Sequence, residues 1–481
     1  MQPIPLFGTG INALSPYVTA QRRLNCFWDI RGDKDKSDAV LVGTFGLTLW
    51  VSLPTYPVRG WRVVGNLLYI IGGSVLYKLT NAGTLTAIGS VASNSSKVSM
   101  SDNGAQLVIV DGINLYCYTI VTGSYSQAAL NAAGSFGQVT DGNFPNGATT
   151  ITFIDGRFIV EAANTRQAYV SASYDGTLWT PLIFFTKENY SDNLLAVDVF
   201  NGIIILWGVT SMEFWQDAGG SPLPYARVQG ATQQWGLAAL WSRAKCDNTV
   251  IFLGKSPQGA VQVMMLDGYQ PKRISTTDIE VLIEEFGVYS DAVAVAYSAH
   301  GHVMYQLTFP NAGRSIMYDA TANTWQETQT GLALVGRHVA DLGVTFGTLT
   351  YVSDYQNGNV YFFDDLAFTD NGVPIKRQVV SRHIRNGGNK FGLGDVFLDV
   401  QLGNSLQSGQ GSDPQMSMEM SKDNGNTFGI PRLKSMGLVG QYRSPRVIWK
   451  RNGRAFDFVL RFTMTDPVEF IITGGAAAPK K

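Results

Sequence analysis

An all-β fold is predicted by three observations. Residues 301–327, GHVMYQLTFPNAGRSIMYDATANTWQE, read as strand, turn, strand, turn, strand. Val303, Tyr305 and Leu307 alternate with Met304, Gln306 and Thr308, the period of a half-buried strand. Pro310, Asn311 and Gly313, then residues 319–323, supply turn chemistry. Weaker copies of this meander recur at roughly 40–55 residues, the spacing of four-stranded propeller blades. Composition agrees: only 15% of the 481 residues are charged, against 45% apolar, which suits a β-rich chain with much of its surface covered. The reading is a β-propeller, with seven blades favoured and six the alternative, carrying an N-terminal arm and a C-terminal β-sandwich or jelly-roll-like domain.

Residues 1–55 do not alternate. Residues 21–28 mix arginines with Phe27 and Trp28, and 31–36 form a charged loop. The expectation is an extended arm or clasp with little core of its own. Basic-aromatic mixing can bind nucleic acid, but a single cluster fits a packed edge better. The propeller is placed at 56–372, with repeat units centred on 67–79, 106–118, 157–171, 203–215, 250–264, 301–327 and 348–363. One such unit cannot bury both its faces, whereas neighbours packed round a ring can. Residues 127–149 read as a possible insertion.

Residues 275–286 form the one helical stretch. Thr277 or Asp278 can cap it, and Ile279, Leu282, Ile283 and Phe286 share a face. Glu284 and Glu285 diverge on adjacent helical positions and belong to a solvated face. From 373 to 474 a different set of strands, at 397–402, 415–420, 455–463 and 468–472, predicts the sandwich. Residues 475–481, rich in small side chains, are expected to be disordered.

The bulk numbers exclude several functions. A formal net charge of −1 gives no global basic field, so free, non-specific DNA binding is not the main activity, while a locally basic lining stays open. Cys26, Cys117 and Cys246 are far apart and odd in number; they read as buried thiols of a protein made in a reducing cytoplasm. The N-terminus lacks a basic and then apolar leader, and the longest apolar run, near 203–207, is far short of a membrane span. A soluble protein without a membrane span is expected. There is no G-x-S-x-G, HExxH or P-loop; no enzyme activity, cofactor or metal is expected.

Ser421, Asp423, Gly425, Thr427 and Phe428 fit the Asp-box pattern S-x-D-x-G-x-T-[FW], and residues 173–179 match it loosely. Such boxes occur in sialidases. Physically the motif is a hairpin turn in which Asp binds amides, Gly takes positive φ and the aromatic packs inward, so it marks fold. A glycosidase would need two carboxylates at fixed separation, and no spacing selects a pair. His300 and His302, at i and i+2, would share one strand face, but no third metal ligand accompanies them; His338 and His383 stand alone.

The densest charge is C-terminal. Lys376, Arg377, Arg382, His383, Arg385 and Lys390 form one basic cluster. Arg443, Arg446, Lys450, Arg451, Arg454 and Arg461 form another, interleaved with Tyr442, Trp449 and Phe456. These are candidate contacts to an acidic partner or to nucleic acid along a channel, with protein docking favoured because interfaces favour Arg and aromatics.

Residues 446–454 (RVIWKRNGR), with Phe456-Asp457-Phe458 and Asp466-Pro467-Val468, resemble the C-terminus of the packaged-DNA stabilisation proteins of short-tailed bacteriophages, also called tail accessory factors, tail hubs or nozzles. Residues 208–215 (GVTSMEFW) with Gly236-Leu237, and the Tyr318-Asp319…Trp325 motif, are similar to that family in order and spacing. The likeness runs loosely from about residue 20 to 473. It implies a structural virion protein, assembled in the bacterial host's cytoplasm into a hexameric ring below the portal and adaptor. Implied partners are further copies of the chain, the adaptor or head-completion protein, a tailspike or fibre, a tail needle or plug, and double-stranded DNA passing through the lumen. The alternative from another class is a carbohydrate-binding or glycan-hydrolysing, sialidase-like propeller.

Overall fold

The computed structural model describes residues 4–8, 15–31, 39–145, 147–441 and 446–480. Its strands group into seven successive four-stranded antiparallel meanders, followed by a β-sandwich. Blade 1 runs Val58–Val64, Leu67–Gly72, Val75–Thr80 and Leu85–Ser90, and blades 2 to 6 begin at Ser99, Ile151, Leu194, Gly236 and Val293. Blade 5 departs slightly, because Gly236–Leu237 and Ala244–Cys246 both pair with Thr249–Lys255. Neighbouring blades pack on one another through their innermost strands, except that Ile203–Gly208 of blade 4 meets Gly236–Leu237 of blade 5, and Ala340–Phe346 of blade 7 packs back on Val58–Val64 of blade 1, which closes the ring.

The ring explains the burial. His302–Phe309 was expected to be half-buried, yet seven of its eight residues are buried. Tyr305, Leu307 and Phe309 face a core shared with blade 5 and the helix, while Met304 faces blade 7. A strand inside a stack of sheets has no solvent face, so alternation reports which neighbour is touched rather than core against water. Gln106–Val110 and Leu115–Thr119 are buried at every position. Tight turns join the strands: Asp155-Gly156 and Asn201-Gly202 both hold positive φ at two successive residues, the type I′ geometry that matches strand twist. Residues 127–149 are no insertion, since they contain Phe136–Gln138, the fourth strand of blade 2.

The helix is Thr277–Glu285. Its cap is Thr276, whose hydroxyl accepts from the Ile279 N–H, rather than Thr277 or Asp278. Ile279, Leu282 and Ile283 are buried, and Glu284 and Glu285 are exposed. Cys26, Cys117 and Cys246 are free and buried.

The N-terminal segment is not an arm with little core. Arg22–Leu24 lies between blade 6 and the sandwich, parallel to Thr324–Thr328 and antiparallel to Arg377–Val380, so one ten-stranded sheet runs from propeller into sandwich. Cys26–Ile30 and Ala39–Gly43 join the other sandwich sheet. Gly46–Ser52 pairs with Asn359–Asp364 and is the fourth strand of blade 7. Asn25, at φ 52° and buried, fixes the junction: its amide donates to the carbonyls of Gln329 (2.9 Å) and Lys376 (3.0 Å). The charged loop expected at 31–36 falls largely outside the described residues.

The sandwich sheets are Cys26–Ile30, Ala39–Gly43, Ile471–Lys480, Phe391–Val400 and Arg446–Trp449 on one side, and Arg377–Val380, Asp457–Met464, Gln415–Ser421 and Arg432–Ser435 on the other. Trp449, Phe458, Phe462 and Met418 fill the space between them. The expected disordered tail is instead a strand: Gly474 to Ala477 pair with residues 396–399 in the middle of a sheet. Its small side chains are what the site admits, since a Cβ on Gly475 would stand 2.7 Å from a Leu398 methyl. Lys481 lies outside the described residues.

Candidate functional site

The Asp-box residues build a turn at one end of the sandwich, in the hairpin joining Gln415–Ser421 to Arg432–Ser435. Asp423 accepts from the Ser421 hydroxyl at 2.6 Å and from the Thr427 amide and hydroxyl at 3.0 and 2.5 Å. These bonds, the one from Ser421 first, hold its carboxyl down at about 2. Asn424 and Gly425 take φ 62° and 90°. Phe428 packs towards Ala20, Val380 and Val459, with the Arg461 guanidinium 4.0 Å above its ring. The looser match behaves alike: Asp175 accepts from the Thr177 amide (2.8 Å) and hydroxyl (2.6 Å), and Trp179 is buried. Both carboxylates serve turns.

Other acids inside the propeller are likewise committed to structure. Glu161 accepts from the amides and hydroxyls of Thr149 and Thr150. Glu213 accepts from the Glu188 and Asn189 amides at 3.0 and 2.8 Å, and Asp192 is tied to Ser211 (2.6 Å) and Lys187 (2.5 Å). This accounts physically for residues 208–215. A Cβ at Gly208 would meet the Asp192 carboxylate at 2.4 Å, and one at Gly236 would meet the Thr210 amide at 2.3 Å. In the Tyr318-Asp319…Trp325 motif, Asp319 accepts from the Thr321 and Ala322 amides at 3.0 and 3.2 Å, while the Trp325 indole donates to the Ile274 carbonyl at 3.0 Å.

The histidines separate. His302 is buried, with Nδ1 2.7 Å from Asp319, a hydrogen bond that raises its pKa against the opposing effect of burial. His300 does not share that face. It sits in the turn at φ 51°, stacked 4.2 Å from Phe45 and 3.3 Å from Asp365. The strand begins only at His302, so the i, i+2 rule does not reach His300. Burial pushes the His338 pKa down to about 4. His383 bridges Asp457 (2.6 Å) and the Pro16 carbonyl (2.8 Å). Among the described residues no group of three His, Cys, Asp or Glu could hold a metal.

A cleft of about 680 Å³ between blades 4 and 5 is lined by Phe200, Ile203, Ile205, Phe214 and Tyr269, with Asp267 its one carboxylate and no arginine. That is not the carboxylate pair beside arginines that glycoside cleavage would need.

The basic candidates divide into two groups. Arg377 is wholly buried, donates to the Thr44 carbonyl at 3.1 Å and has its pKa lowered by burial; it joins the two domains and reaches no partner. Arg461 makes a bidentate pair with Glu419 at 2.7 and 2.8 Å. Arg385 holds Asp457 at 2.8 Å, Arg446 holds Asp399 at 2.7 Å, Arg382 donates to the Phe7 carbonyl at 2.7 Å, and Lys376 to the Ala333 carbonyl at 3.3 Å. Arg443 lies outside the described residues. Lys450, Arg451 and Arg454 are exposed together at the sandwich end. Phe456, which the sequence places among these cations, is exposed, and beside it are two exposed apolar residues that sequence reasoning missed, Ile430 and Leu433; strand patterning carries no signal for exposure at a sheet edge.

Family comparison matches residues 32–367 to a model described as bacteriophage P22 Gp10, beta-propeller, and residues 376–478 to one described as bacteriophage P22 Gp10, beta-sandwich. No curated protein matches. Similar solved structures include the WD40 β-propeller domain of Doa1 (11% identity, 66% of this chain and 97% of that one, TM-score 0.40). They also include the computationally designed Ika8 protein (10%, 72% and 100%, 0.39) and the extracellular domain of the putative hybrid two-component system BT4673 from B. thetaiotaomicron (8%, 75% and 45%, 0.45). At these TM-scores the likenesses establish nothing about function.

Proposed function

Given that the chain belongs to the bacteriophage P22 Gp10 family of packaged-DNA stabilisation proteins, we propose that this structural phage tail protein forms the hub or nozzle below the portal and adaptor. In this reading several copies, six by the family resemblance, close a ring that extends the DNA channel, retains packaged DNA until ejection and anchors tailspikes or fibres. The observation that carries the reading is the co-linear match across both domains, residues 32–367 and 376–478. Two features support it. The buried Glu161, Glu213 and Asp319 of the propeller are spent on turns and amides, which suits a scaffold. The net charge of −1 suits a channel wall that lets DNA slide rather than binding it tightly.

The test is the native mass of the purified protein, alone and with capsids that carry the adaptor but lack this chain. A ring of six, or a monomer that joins only adaptor-bearing capsids, supports the proposal. A monomer that ignores such capsids and binds or cleaves sialylated glycans refutes it.

A further inference from the structure

One end of the sandwich exposes apolar and basic side chains side by side. Ile430 is 87% exposed, Leu433 62% and Phe456 60%. The Asp-box hairpin and the turn at 449–456, which carry these residues, are tied together. The Trp449 indole donates to the Arg432 carbonyl at 2.9 Å, Arg432 donates to the Asn452 side chain at 2.7 Å, and a Cβ on Gly453 would meet Lys422 Nζ at 3.0 Å. On the same two segments Lys422, Lys434, Lys450, Arg451 and Arg454 are exposed. The acids alongside are fewer. Asp423 has both oxygens inside its turn, Asp413 takes the Ser435 hydroxyl, and Asp395 makes no ion pair with these cations among the described residues.

Arg432 and Lys434 along Arg432–Ser435, the last strand of its sheet, would by themselves be an edge blunted against aggregation. That device does not account for three large apolar side chains in water. Protein interfaces combine apolar anchors with complementary charge, whereas contacts to a DNA backbone need cations and gain little from Ile, Leu or Phe.

We infer that this end of the sandwich is a docking surface for an acidic protein segment that carries apolar side chains. Ile430, Leu433 and Phe456 receive the apolar groups, and Lys450, Arg451 and Arg454 receive the carboxylates. The inference rests on the reading of the chain as a tail protein that engages other virion proteins, and narrows it to one patch and one partner chemistry.

The test uses the full chain and three labelled probes: a peptide of alternating Glu and Leu, one of alternating Glu and Ser, and a short DNA duplex, each followed by fluorescence anisotropy. Two variants are compared with the wild type: Leu433→Ser with Phe456→Ser, and Lys450→Glu with Arg451→Glu and Arg454→Glu. All five positions are exposed, so the fold should survive, and circular dichroism checks that it does. The expected result is that the Glu-Leu peptide binds the wild type at least tenfold more tightly than the Glu-Ser peptide, and that each variant weakens it at least tenfold. Duplex binding equal to the peptide's and indifferent to the serine variant overturns the inference in favour of nucleic acid. Loss of self-association in the variants without peptide binding overturns it in favour of a second copy, and failure of the peptide to bind overturns it outright. Joining to adaptor-bearing capsids is measured in parallel. A wild type that joins capsids but ignores the peptide sinks this patch alone, and one that does not join sinks the wider reading.

Discussion

Leu47→Ala tests whether the ring is closed by the strand Gly46–Ser52. Leu47 is 1% exposed and packs in the core of Phe27, Met304, Met317, Val352 and Tyr361, whereas Leu49, two residues along, is 40% exposed. Truncation to alanine removes three carbons, about 2.4 kcal/mol of transfer free energy at ~0.8 per methylene. The residual cavity adds to this, for a total of about 3 kcal/mol. Leu49→Ala should cost under about 1 kcal/mol. If the strand opens locally, as one held by Asn359–Asp364 along its length and by Thr369–Asp370 only at Leu47 should, about 3 kcal/mol corresponds to roughly a hundredfold faster amide exchange. Hydrogen exchange read by mass spectrometry on peptides covering 46–52 and 359–364 measures it. Faster exchange in both peptides for Leu47→Ala, and in neither for Leu49→Ala, is expected. Unchanged exchange in Leu47→Ala, or equal effects of the two variants, would falsify closure by this strand.

Three further outcomes are expected. Because the folded pKa of His302 is raised, chiefly by its hydrogen bond to Asp319 and against burial, its stabilising effect is complete below the unfolded value near 6.5 and fades as pH rises through the folded one. The Tm advantage of wild type over His302→Gln should therefore shrink on going from pH 6 to pH 9, and a constant difference would refute the assignment. Thr276→Ala removes the helix cap and should cost about 1 kcal/mol in urea titrations, while the neighbouring Thr277→Ala should cost less; the reverse order would return the cap to Thr277. Arg461→Ala loses both the pair to Glu419 and the stacking on Phe428, so limited proteolysis should cut the 421–432 hairpin sooner than in wild type, and an unchanged cleavage rate would show that the turn holds without it.

The repeat was legible because the blades write similar signals locally: apolar runs joined by tight turns, with Asn-Gly or Asp-Gly in blades 2, 3, 4, 5 and 7. Residues 67–79 and 106–118 need only their own neighbours to be recognised. The first 52 residues were illegible for the opposite reason. Arg22–Leu24, Cys26–Ile30 and Gly46–Ser52 enter three different sheets. Leu24 and Asn25 meet Glu327 and Gln329, some three hundred positions away. Nothing within a short window encodes such a pairing. The tail misled because Gly474, Gly475 and Ala476 resemble a linker, although small side chains are what a strand crowded by Leu6 and Leu398 requires. At the candidate surface the cations were visible as a cluster, but sequence could not separate Arg377, wholly buried, from Arg451, wholly outside, because burial depends on the sheet that Arg22–Leu24 completes.

The closing strand also sets a schedule for biosynthesis. Gly46–Ser52 leaves the ribosome about 300 residues before its partner Asn359–Asp364, which at roughly 5–20 residues per second is a wait of about 15–60 s. Throughout that interval Leu47, Leu49, Trp50 and Val51 form an apolar, β-prone segment with no mate, the kind of stretch that seeks one in another chain. A nascent molecule must keep the propeller's first-made strand unpaired until its last blade emerges, and crowded translation of a single message is where that restraint is most easily lost.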